Sequence, residues 1–146
     1  MPKDIIRKDA TLFFEGPPIP KGRPRYCQRG GRVFAYTPKK TQEAEVSIRE
    51  KAKVDLYPLS EAPFEGRICV DLAFRMPIPK SLRKKVSAGD PHVKRPDLDN
   101  LIKLVIDALT GVAWKDDAMI CIMSAEKTYS HDPMTIVNIT YEKDNL

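Results

Sequence analysis

The chain is poor in the residues that build cross-links and soft-metal sites. Its three cysteines, Cys27, Cys69 and Cys121, lie far apart without a CxxC pair, and His92 and His131 are its only histidines. That spacing argues against a disulfide framework or a zinc site and leaves reduced thiols. No run approaches the ~20 apolar residues that cross a bilayer. The opening MPKDIIRKDA carries charge where a secretory leader needs an apolar stretch. A cytoplasmic protein with no membrane partner is expected. At 146 residues, without an internal repeat or a linker, one domain spanning residues 1–146 is the default.

Acid is scarce in one part of the chain. Met1 to Arg95 holds 21 Lys and Arg against 11 Asp and Glu, whereas Pro96 to Leu146 holds 4 against 9. Such asymmetry suggests a polyanion gripped by the first region and worked on by the second. An unevenly charged surface without a partner explains the same counts, so the motifs must decide.

Turn residues and hydrophobic period divide the chain. ATLFFE, from Ala10 to Glu15, reads as a strand stopped by Gly16-Pro17-Pro18, and a basic segment with Gly30-Gly31 at its centre reads as a hairpin. A helix capped by Thr37 or Thr41 runs to about Leu56 on a narrow stripe of Ala44, Ile48, Ala52 and Leu56. Arg67 to Met76 alternates with period two and is the clearest strand, with Ile68, Val70, Leu72 and Phe74 facing inward. Pro77 to Arg95 is basic and broken by Gly89-Asp90-Pro91, hence largely a solvated loop. Asp99 to Leu109 is a helix apolar on most sides, with Asp99, Lys103 and Asp107 on one polar stripe. Ala118 to Tyr129 and Met134 to Tyr141 read as strands joined by Ser130-His131-Asp132-Pro133, a hairpin signal. This order predicts an α+β fold with a mixed or antiparallel sheet and helices packed on it.

Chemistry concentrates in Arg95-Pro96-Asp97-Leu98-Asp99-Asn100. If the chain is extended here, Asp97 and Asp99 project to one side, and their mutual repulsion asks for a cation. Carboxylate oxygens are hard donors that suit Mg²⁺ or Mn²⁺. One Asp alone is better explained as a helix N-cap. Two, with Lys103 a turn later, favour a site, and the lysine is either an i,i+4 partner of Asp99 or a group that points at a phosphate. In Trp114-Lys115-Asp116-Asp117 only one of the two aspartates can join the first pair if the chain is extended. Taken alone, both read as turn residues; a strand doubling back beside the helix is the arrangement that can return one of them to the helix start.

The run RPDLDNLIKLVIDALTGVAWKDDAMI resembles the RusA family of Holliday junction resolvases: an Asp-x-Asp-Asn helix start, a Lys on the first turn, Asp-Ala-Leu near the helix end, and Trp followed closely by Asp-Asp. The Gly-Pro-Pro before a basic segment and the Tyr-Thr-Pro before a helix are similar to it as well. The resemblance implies a RusA-like fold and a homodimer of phage or prophage type. It further implies resolution of four-way DNA junctions in recombination and repair by paired, Mg²⁺- or Mn²⁺-dependent nicks. Asp97, Asp99 and Asp117 match its metal-binding aspartates, and Lys103 matches its catalytic lysine.

Lys21, Arg23, Arg25, Arg29, Arg32, Lys84, Lys85 and Arg95, together with Lys80 and Arg83, are expected along the DNA path. The apolar runs Ala118 to Met123 and Met134 to Ile139 are candidate dimer-interface material. Two rivals stand beside this reading: a non-catalytic phage DNA-binding protein, and a nuclease for other branched DNA.

Overall fold

Strict alternation makes Arg67–Pro77 (β4) a strand that buries one face, and it occupies an interior position in the sheet. The structure, a computed structural model, describes residues 4–59 and 61–144. The other elements are β1 (Ile5–Glu15), β2 (Arg25–Arg29), β3 (Arg32–Tyr36), α1 (Lys39–Leu56), α2 (Leu98–Leu109), β5 (Ile120–Ser130) and β6 (Met134–Asp144). Short 3₁₀ turns occupy Lys80–Leu82 and Asp117–Met119. The main sheet has the order β1-β6-β4-β5; β5 runs parallel to β4, and the other neighbours are antiparallel. This is the expected α+β class with a mixed sheet.

One sequence expectation fails. β5 and β6 do not pair as a hairpin, because β4 lies between them. Parallel strands need a crossover, and α2 supplies it between β4 and β5. The link His131–Pro133 then carries the chain across the end of β4, from Ser130 opposite Pro77 to Met134 opposite Arg75. A short polar link serves either geometry, so local turn chemistry does not distinguish them.

Both helices pack on one face of this sheet. Leu12 and Phe14 of β1, Ile68, Val70, Leu72, Phe74 and Met76 of β4, and Val137, Ile139 and Tyr141 of β6 meet Ala52 and Leu56 of α1 and Leu101, Val105 and Leu109 of α2. Each large side chain buried here contributes roughly 1.5–3 kcal/mol. The four inward residues expected in β4 are all buried. β2 and β3 form a separate ribbon, and its turn uses Gly30 and Gly31 at φ 57° and 74°, the left-handed pair that a two-residue hairpin loop requires.

The segment after β4 is less free than its composition suggests. Gly89 N donates to the Tyr129 carbonyl (2.8 Å), Tyr129 N to the Asp90 carbonyl (2.9 Å) and His92 N to the Lys127 carbonyl (3.0 Å). Residues 89–92 thereby pair along the outer edge of β5, while most of the remaining segment is the exposed loop expected.

Candidate active site

The first turn of α2 carries the two leading aspartates. Asp97 holds the N-cap position at φ −67° and ψ 140°, yet its side chain makes no capping hydrogen bond. The helix begins at Leu98, so Asp97 and Asp99 flank a helix start and do not alternate along an extended run. Asp99 Oδ1 accepts from Asn100 N at 2.9 Å. Both carboxylates are exposed at the positive end of the helix dipole, which favours negative charge there. Lys103 is exposed one turn on, and among the described residues it forms no ion pair with Asp99 or Asp107.

The backbone leading into Asp97 is held from β5. Lys127 Nζ donates to the carbonyls of Lys94 (2.6 Å) and Pro96 (2.7 Å). Lys127 is opposite Phe74, on the face that β4 turns toward the helices. A lysine at an inward position of an amphipathic strand is a signal present in the sequence, and the motif reading passes over it.

The third aspartate is elsewhere. Trp114 is fully buried, and its Nε1 donates to Thr110 Oγ1 at 3.0 Å. Lys115 N donates to the Phe64 carbonyl at 3.1 Å and Gly111 N to the Trp114 carbonyl at 2.7 Å. The tryptophan thus anchors the turn that presents Asp116 and Asp117. Asp116 caps the following 3₁₀ turn, its Oδ1 accepting from Ala118 N at 2.9 Å, whereas Asp117 lies within that turn, exposed.

The expectation that β5 returns Asp117 to the start of α2 is not met within one chain. The strand runs back along the helix, so its beginning lies by the helix end. Ile120 is level with Ile68, and Lys127, which reaches Pro96, is level with Phe74. Six strand residues at ~3.3 Å each separate these levels by about 20 Å. Among the described residues, no three Asp, Glu, His or Cys side chains come together as a metal site. By donor chemistry, the carboxylates of Asp97 and Asp99 are of the kind that suits a hard divalent cation.

The basic residues divide in two. Lys21 is engaged: its ammonium meets Glu45 of α1 at 2.5 Å and Asp107 of α2 at 3.1 Å, with a side chain only 21% exposed. Burial pulls its pKa down, but the hydrogen bonds and charges of Glu45 and Asp107 outweigh that and raise it. Lys21 thereby clamps one helix to the other. Arg23, Arg25, Arg29, Arg32, Lys80, Arg83, Lys84, Lys85 and Arg95 are all exposed.

A family model described as endodeoxyribonuclease RusA matches residues 15–140. The chain belongs to the RusA family. This RusA-family chain is also 31% identical over 131 residues to the uncharacterized protein YqaN of Bacillus subtilis (strain 168), covering 85% of this chain and 90% of the relative. Family membership makes it an endodeoxyribonuclease. The matched span takes in the ribbon, the start of α2 and the Trp114 turn, and none of its described helices is long and apolar enough to cross a membrane.

Proposed function

We propose that this protein is a divalent-metal-dependent endodeoxyribonuclease that resolves four-way DNA junctions by paired nicks, working as a homodimer in recombination and repair. The observation that carries the reading is the uncapped Asp97 beside Asp99 at the positive end of α2, with Lys103 paired to neither Asp99 nor Asp107 among the described residues. A purely structural role would be expected to use Asp97 as a cap and Lys103 in an ion pair.

Hydrolysis of a phosphodiester needs an activated water and compensation for charge on the transition state. Mg²⁺ or Mn²⁺, when bound, supplies acidification of that water and part of the compensation. Asp97 and Asp99 offer the carboxylate oxygens for it. Lys103 directs an ammonium at the developing charge on a non-bridging oxygen. Lys127 holds the backbone ahead of Asp97, and Arg23, Arg25, Arg29, Arg32, Lys84, Lys85 and Arg95 hold flanking phosphates. The expected products carry a 5′-phosphate and a 3′-hydroxyl.

The position of Asp117 supports the dimer. The two apolar runs expected at an interface differ: Met134 to Ile139 lies in interior β6, where Ile136 on the outer side is nearly covered, while Ala118 to Met123 leads into the edge strand β5, which is uncharged from Ile120 to Ala125. Met123 and Ala125 turn their peptide groups the same way as Lys127 and Tyr129, but no described backbone pairs with them. Exposed apolar edges are templates for another strand. Antiparallel two-fold pairing of two such edges carries Asp117 toward the partner's Asp97 and Asp99, and each of two sites then takes its third carboxylate from the other subunit. A synthetic four-way junction incubated with and without Mg²⁺ tests the function. Metal-dependent nicking supports it, whereas binding without nicking under either condition leaves the non-catalytic DNA-binding protein.

A further inference from the structure

The ribbon of β2 and β3 buries nothing. Every residue from Arg25 to Arg29 and from Arg32 to Tyr36 is exposed, and among the described residues the two strands pair only with each other. An isolated ribbon is marginal in water. This one nevertheless holds Tyr26, Val33, Phe34 and Tyr36 at 70%, 66%, 48% and 45% exposure. Exposed apolar groups gathered in this way mark a contact surface.

Register sorts the side chains. Arg25 lies opposite Tyr36, Cys27 opposite Phe34 and Arg29 opposite Arg32, so three arginines and two aromatic rings share one face. The other face, Tyr26, Gln28, Val33 and Ala35, has no charge. The base of the ribbon is tied to the candidate active site. Lys21 N donates to the Asn100 carbonyl in the first turn of α2 (2.9 Å), and Gly22 N donates to Thr41 Oγ1 of α1 (2.9 Å). A Cβ at Gly22 would come within 2.8 Å of that oxygen, so the close approach is reserved for glycine.

Arginines alone suffice to hold the phosphates of a stacked duplex. Aromatic rings add binding only where bases have left the stack, because stacking needs an open base face. We propose that the face carrying Arg25, Arg29, Arg32, Phe34 and Tyr36 recognises unstacked bases at the branch point of DNA. The two rings stack on those bases and the arginines grip the phosphates on either side. The ribbon is then the element that separates branched from linear DNA. This rests on the branched-DNA reading above.

The test compares affinity for a four-way junction and for linear duplex of the same arm sequence, in EDTA so that nothing is cut. The double variant Phe34→Leu/Tyr36→Leu keeps apolar bulk without rings. It is expected to lose about tenfold or more for the junction and less than about twofold for the duplex. Phe34→Tyr/Tyr36→Phe keeps the rings and should retain junction affinity. Alkylation of Cys27, followed by peptide mass spectrometry, should slow severalfold in the junction complex, since its side chain shares that face. Equal losses for both DNAs, or no loss for either, overturn the proposal, as does undiminished Cys27 reactivity in the complex. A wild-type protein with no preference for the junction overturns the branched-DNA reading and this proposal with it. A preference that survives the leucine variant overturns this proposal alone.

Discussion

Lys21 and Lys103 carry the same charge in opposite surroundings. Lys21 is enclosed between Glu45 and Asp107, whereas Lys103 stands in solvent without either neighbouring aspartate as a partner. Lys21→Met should therefore lower stability by roughly 2 kcal/mol, the scale of charge-assisted hydrogen bonds whose removal leaves two carboxylates unmatched. Thermal melting reads that change, and the salt dependence of DNA binding should stay the same. Lys103→Met should do the reverse, keeping the melting temperature while reducing the cleavage rate by about 10²–10³-fold. If Lys103→Met cleaves normally, the lysine has no part in the chemistry. Asp97→Asn and Asp99→Asn should each abolish nicking in a folded protein that still binds junctions; gel cleavage alongside circular dichroism separates the two effects.

At the scale of elements, residues 89–92 against the edge of β5 place His92 beside Lys127 and upstream of Asp97. Burial lowers the His92 pKa from its ordinary 6.5, and the charges of Lys127 and Lys94 lower it further. The unfolded chain then binds that proton more readily, so this contribution to stability is complete above the ordinary value and is lost as pH falls from there through the lowered folded-state value. Melting at about pH 7.5 and about pH 5.5 should show a wild-type loss that His92→Leu reduces. An unchanged pH dependence in the variant would remove His92 as its source. Local signals bring most elements into view: alternation marks β4, the 3.6-residue period marks α2, and Gly30-Gly31 marks the ribbon turn. The separation of β5 from β6 is not legible in this way, because strand neighbours depend on what is inserted between them, and a short link does not record that. The inward position of Lys127 leaves a local signal, but its partner does not, since the backbone it holds is 31 residues away.

The whole molecule carries its positive charge mainly before Arg95, but the structure divides those cations between clamps and exposed groups. Removing Arg25, Arg29 and Arg32 together should flatten the dependence of binding on salt by about one unit of slope for each phosphate no longer held. Titrations at several salt concentrations read this directly, and an unchanged slope would assign the ribbon arginines to solvation alone. The start of α2 is legible as a candidate site, since two aspartates and a lysine fall within about two turns of its beginning. The place of Asp117 is not legible, because the helix length and strand direction that put it at the far end emerge only once β4 and β5 are known to be parallel.

Mixing two inactive variants on a four-way junction with Mg²⁺ tests the account most directly. Asp97→Asn and Asp117→Asn should each be silent alone. In a mixed dimer with shared sites, one site loses both aspartates and the other keeps the full set. Random exchange makes half of the dimers mixed, so nicking should return to about a quarter of the wild-type level, one cut per junction. Recovery of that size is the predicted result. Wild-type cleavage with no recovery on mixing, after subunit exchange has been verified by mass, would contradict a site shared between subunits.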